Sequence, residues 1–175
     1  MNTLPDYLEP KQKVVFVGTN PGRLSALHGH YFARPGNHFW RLLHESGLVP
    51  TALTAEQDTE LPKYGYGLTD IVKKVTRSIK DLRKDDYEKG IMEFRDRMGE
   101  NSPCIICFVG MNPFRKYFKF KGKLDFGPRP EKIHSSRVFI IPTMSGLYPM
   151  PYDRKLTHFK VLKKEVSRLS SSGAS

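Results

Sequence analysis

Three continuous apolar runs constrain this chain more than any other feature: KVVFVG (13–18), CIICFVG (104–110) and RVFIIP (137–142). Each ends in Gly or Pro, and none alternates as a half-exposed strand would. A strand that is apolar throughout is covered on both faces, as in a parallel sheet. GLTDIV (67–72) reads either as a further short strand or as the start of a helix. Helical stretches lie between these runs. NHFWRLLHESG (37–47) carries Phe39, Leu42 and Leu43 with Trp40 beside them, and stops at Gly47. RKDDYEKGIMEFRDRMGE (83–100) places Tyr87, Ile91, Phe94 and Met98 on one helical face. LTHFKVLKKEVSRL (156–169) does the same with Leu156, Phe159, Leu162, Val166 and Leu169. Strands alternating with helices predict a three-layer α/β/α fold with a short, mainly parallel central sheet.

The 175 residues suit one domain, expected over 1–169, with a small polar segment (170–175) as a flexible tail. No apolar run approaches the ~20 residues that span a bilayer. The opening MNTLPDYLEPKQK lacks the apolar block of a signal peptide, so no membrane association is expected. Two cysteines, Cys104 and Cys107, fit a reducing compartment. Lys and Arg total 29 against 18 acids, a net charge of +11. Such a balance attracts polyanions, nucleic acid first among them. Because the cations are spread along the chain, a basic but otherwise ordinary enzyme is the competing reading.

Ligands of open parallel sheets bind beyond the carboxyl ends of the strands. At the end of the first run stands GTNPG (18–22), followed by Arg23. Its glycines permit a sharp turn and close approach to a ligand, and Pro21 stiffens it. Asn20 is displayed there as a neutral amide, able to orient a water or hold a polar ligand. A structural turn whose Asn caps the next segment explains the pentapeptide equally well. The motif is neither a phosphate-binding loop nor GxGxxG, which removes support for nucleotide hydrolysis and dinucleotide binding. LHGHYFARPGNHFWRLL (27–43) then packs aromatic, amide and basic groups. Tyr31 or Phe32 suits stacking on a base. Read singly, Phe32 suits the core and Asn37 suits a helix cap.

GTNPG followed by GHYFARPGNHFWRLL resembles the mismatch-specific uracil-DNA glycosylase and thymine-DNA glycosylase family, within the uracil-DNA glycosylase superfamily. The resemblance continues in the same order through LPKYGYGLTDIV (61–72), CIICFVG, KLDFGPRPEKI (123–133) and VFIIPTMSGL (138–147). It implies a glycosylase-like fold and a monofunctional enzyme without cofactor or metal. That enzyme flips uracil or thymine opposite guanine out of double-stranded DNA and cleaves its glycosidic bond. By resemblance, Asn20 is catalytic and positions the attacking water. Gly18, Thr19, Phe32, Asn37, Asp70 and Thr143 form the base pocket. Ser145, Gly146, Leu147 and Tyr148 enter the duplex, with Leu147 as the wedge, and Arg23 and Lys116 contact DNA. The expected partner is duplex DNA with G/U or G/T mismatches, bound by a monomer. The expected location is the nucleus in a eukaryote and the cytoplasm otherwise. Three places depart from the family pattern, one of them Pro149, where some relatives have a basic residue. Asp70 follows Gly-x-Thr where relatives have Asn or Lys, and Thr143-Met144 open the wedge loop. Shifted base choice, hypoxanthine included, and a mismatch-binding module without turnover are the alternatives.

Other signals carry less. PCIIC (103–107) matches half of a zinc base-deaminase signature, but the chain has no His-x-Glu. Both cysteines are therefore expected in the core. His28 and His30 suit either a phosphate contact or a solvated loop. NPFRKYFKFKGK (112–123) reads as an amphipathic helix with its aromatics inward and its lysines in water, available to phosphates.

Overall fold

The structure, a computed structural model, describes residues 2–172. Five strands form one sheet in the order β2-β1-β3-β5-β4. They are β1 (Val14–Gly18), β2 (Tyr66–Asp70), β3 (Ile105–Val109), β4 (Gly127–Ile133) and β5 (Ser136–Ile141). All pairings are parallel except β4 with β5. GLTDIV is thus a strand, its pairing to β1 fixed by Phe16 opposite Leu68 and Gly18 opposite Asp70. The edge strand β4 was not legible, because its buried positions are only its two ends, Gly127 and Ile133. It owes its conformation to a tight hairpin with β5.

The helices are α1 (Arg23–His28), α2 (Phe39–Glu45), α3 (Lys84–Asn101), α4 (Met111–Phe118) and α5 (Tyr152–Ser172). A 3-10 segment spans Ala55–Tyr64. Val14 and Phe16 face a core built with Phe39, Leu42 and Leu43 of α2 and Phe159, Leu162 and Val166 of α5. Val15 and Val17 face the other core, with Phe94 and Met98 of α3 and Phe114 of α4. Adjacent residues of one strand thus feed two cores, which is why the runs are unbroken. Helix α5 continues through Ser172, so the first three residues of the expected tail are helical, and 173–175 lie outside the described residues. Among the described residues no helix is long and apolar enough to cross a membrane.

Strand β1 is an interior strand, and the chain leaves it on the side of α2 to reach β2. From β3, on its other flank, the chain leaves into α4 on the opposite side. The carboxyl ends of β1 and β3 therefore flank a topological switch point, where such sheets open a crevice.

Candidate active site

A cavity of about 310 Å³ occupies that crevice. The ends of four strands feed it: Gly18, Thr19 and Asn20 after β1, Asp70 closing β2, Gly110 and Asn112 after β3, and Thr143 to Ser145 after β5. Phe32 and Asn37, from the segment between α1 and α2, also line it. All six expected pocket residues therefore meet here with Asn20, although they lie up to 125 positions apart (143 minus 18).

The orientation of Asn20 follows from its partners. Its Nδ2 donates to the Lys74 carbonyl at 2.7 Å and to Thr76 Oγ1 at 2.8 Å. The Thr76 hydroxyl donates its own hydrogen to the Ser78 carbonyl at 2.8 Å, so toward Asn20 it accepts. Both neighbours of the amide nitrogen are acceptors, which fixes the flip of the carboxamide. Among the described residues nothing donates to Oδ1, which is left as a free acceptor on a residue that lines the cavity. Thr76 lies 56 positions away, and nothing in its local sequence marks it.

Asn112 was also missed, yet a signal for it exists. The tetrapeptide Gly-x-Asn-Pro occurs twice, at 18–21 and 110–113, at the ends of adjacent strands. Asn112 Nδ2 donates to Thr19 Oγ1 at 3.0 Å and reaches Tyr87 Oη at 3.4 Å, joining the two loops across the crevice. Gly110 has φ +85°, and a Cβ there would meet Thr143 Oγ1 at 2.8 Å. The rest of 111–118 is the expected amphipathic helix, with Phe114 buried and Lys116 exposed.

Phe32 combines its two readings. Its ring stacks on buried Phe39, centroids 4.0 Å apart, and also walls the cavity. Its backbone has φ +54°, a strained value for an aromatic residue. The strain is held in place by its neighbour: buried Asp58 accepts from the Tyr31 amide at 3.0 Å and pairs with His30 Nδ1 at 3.1 Å. His30 is thus half-buried against an acid, while His28 is exposed. Asn37 caps α2 by accepting from the Phe39 amide at 3.0 Å, and the same residue lines the cavity.

Of the remaining expected residues, Ser145 also lines this cavity and the others lie outside it. Ser145 links it to a second cleft, lined also by Arg34, His38, Gly146 and Leu147. The Tyr148 amide donates to the Ser145 carbonyl at 3.1 Å, closing a turn that leaves Leu147 78% exposed. Fully buried Lys155 of α5 holds this turn, donating from Nζ to the Ser145 carbonyl at 2.9 Å with His38 Nδ1 at 3.2 Å. Arg23 lies in a basic groove with Lys73, Lys74 and Arg77. Lys116 covers the Tyr87 ring at 4.7 Å. The two cysteines divide: Cys107 is buried in β3, but Cys104 is exposed, correcting the expectation of two core cysteines. The strand begins only at Ile105, so Cys104 precedes its covered part.

A family model, that of the uracil DNA glycosylase superfamily, matches residues 5–166. The chain belongs to this superfamily. It is 31% identical to a G/U mismatch-specific uracil DNA glycosylase of Schizosaccharomyces pombe (strain 972 / ATCC 24843), over 94% of this chain and 54% of that protein. The chain thus spans about half the length of the curated relative it matches. A solution NMR structure of a candidate uracil DNA glycosylase from Methanosarcina acetivorans superposes with a TM-score of 0.62 at 18% identity, covering 95% of this chain and 98% of that one. That likeness concerns the α/β/α fold.

Proposed function

We propose that this superfamily member is a monofunctional DNA glycosylase that excises uracil, and thymine opposite guanine, from duplex DNA, acting as a monomer. One observation carries the reading: Asn20, its amide nitrogen tied down by Lys74 and Thr76, keeps a free carbonyl oxygen at a base-sized cavity. A base inside a duplex is out of reach and must swing out, at a cost of a few kcal/mol that is lower at a mismatch. Exposed Leu147, on its braced turn, is the wedge that offsets the lost stacking. The base enters the cavity against the Phe32 ring.

Breaking the glycosidic bond leaves positive charge on the sugar and negative charge on the base. DNA phosphates favour the first, and backbone amides near Thr19 and Asn20 favour the second. An oxocarbenium-like sugar needs little help from a base, so a neutral amide that holds a water by Oδ1 suffices. The carboxamide has no basicity to offer, and slow turnover follows. The G/U-specific activity in the name of the fission-yeast relative supports the uracil reading.

The test uses labelled duplexes carrying G·U, G·T, A·U or inosine, followed by alkali. Strand breaks that appear only after alkali, and disappear in Asn20→Ala while DNA binding persists, are the expected result. Breaks unaffected by Asn20→Ala would refute the assignment. Binding without breaks in the unaltered protein would instead indicate a mismatch sensor.

A further inference from the structure

Asp70 is a buried acid that the mechanism above does not use. It closes β2, lines the cavity and is 4% exposed. Its backbone carbonyl accepts from Arg97 Nη2 at 2.8 Å, but no described residue donates to its carboxyl group. Oδ2 is buried without a partner, and Oδ1 stands over Gly18, where a Cβ would be. A buried polar group without a partner calls for a ligand or a function.

The surrounding charges do not neutralise it. Lys73, just beyond β2, bonds Asp6 Oδ1 at 2.7 Å, and Arg97 of α3 pairs with Asp6 Oδ2 at 3.3 Å. Both cations are thus engaged by the acid of the N-terminal segment. Tyr31, on the remaining side, directs its hydroxyl to the Pro5 carbonyl at 2.8 Å. Among the described residues that line the cavity, no other carries a charge. An isolated carboxylate is costly in such a place, and the neutral acid is the stable form. Burial pushes its pKa up to about 7, with Lys73 and Arg97 opposing and Asp6 reinforcing.

We propose that Asp70 is a catalytic residue of the glycosylase reaction, working as a neutral carboxylic acid that donates a hydrogen bond to a carbonyl oxygen of the departing base. As the glycosidic bond breaks, its electron pair moves to the base and its charge spreads to that oxygen. The Asp70 proton stays on Asp70 and the hydrogen bond strengthens. The water oxygen bonds to the sugar carbon, and the proton it sheds neutralises the base. An ionised Asp70 would set one negative charge against another. A carboxylic acid kept neutral by apolar surroundings and donating to an oxyanion is an established device of other enzymes. The bases suited to it carry a ring carbonyl beside the bond-breaking system: uracil, thymine and hypoxanthine rather than adenine.

The inference rests on the glycosylase reading, and one experiment separates the two. Single-turnover excision of uracil from a G·U duplex is followed from about pH 6 to about pH 8.5 with the full chain. The unaltered protein should slow by about 30-fold across this range, with the slope of one proton. Asp70→Asn keeps a donor that does not titrate. Its rate should be flat and should exceed that of the unaltered protein at the alkaline end. Asp70→Ala should be flat and slower than Asp70→Asn. Independently of any variant, the carboxyl carbon of Asp70 followed by NMR should titrate near neutrality. A rate that is level or rises with pH, an Asp70→Asn profile with the original slope, or an NMR midpoint near that of an ordinary carboxylate would overturn the proposal while leaving a glycosylase. A protein inactive on G·U, G·T and inosine duplexes at every pH would overturn both.

Discussion

At Gly18 even a methyl group would collide with Asp70 Oδ1, so the smallest residue and the unpartnered acid are one structural decision. Gly18→Ala should cost roughly 1–3 kcal/mol, because the Asp70 carboxyl must turn away from the added methyl group. Adding Asp70→Ala should restore part of that loss, since the two residues are in contact and their effects will not add. Urea unfolding of the four proteins measures the coupling. The same acid makes stability fall with pH. Its pKa is raised from 3.8 to about 7, so the folded state retains a proton that the unfolded state has released. The contribution is complete below the unfolded value and is lost as pH rises through the folded one. Relative to Asp70→Asn, the unaltered protein should lose roughly 3 kcal/mol between about pH 5 and about pH 8. Equal pH slopes for the two proteins would contradict this.

At the scale of elements, the turn that bears Leu147 is braced by α5. Burial, aided by Lys155 and Arg41, holds the pKa of His38 below its usual value, so the ring meets the Lys155 ammonium as a neutral acceptor. Lys155→Met keeps the volume but leaves the Ser145 carbonyl and His38 without their donor. Stability should drop by about 1–3 kcal/mol. Release of abasic product should quicken roughly tenfold, the equivalent of about 1.4 kcal/mol of lost contact. Excision from single-stranded DNA, which needs no wedge, should change little. A largely exposed Leu147 thus depends on a fully buried Lys155. Among the elements, β1, β3, β5, α3 and α5 were legible because their apolar spacing is unbroken. Strand β4 was not, because its sequence GPRPEKI is apolar only where it meets the hairpin and the core.

Over the whole molecule, the +11 charge resolves into paired and unpaired cations. In the basic groove, Lys73 is tied to Asp6 and Lys74 to Asp86. Arg23 and Arg77 have no acidic partner within salt-bridge distance among the described residues. Duplex affinity should fall steeply with salt, and Arg23→Gln or Arg77→Gln should each reduce the logarithmic slope by about 0.9. Lys73→Gln should reduce it less, because that charge is already compensated. Titrations of fluorescent duplex at several salt concentrations decide this. Slopes unchanged in both arginine variants would remove the groove from the DNA path.

Sequence alone determined that the strands are covered on both faces, that helices alternate with them, and that a stiff amide-bearing turn ends the first strand. These follow from local periodicity and from the backbone preferences of Gly and Pro, which act within a few residues. Tertiary structure alone decided which end of the Asn20 carboxamide is free, that the Asp70 carboxyl lacks a partner, that Asn112 joins the site and that Lys155 braces the turn bearing Leu147. Each depends on groups brought together from distant positions by strand order, and hydrogen bonding and burial act over ångströms of space rather than along the chain.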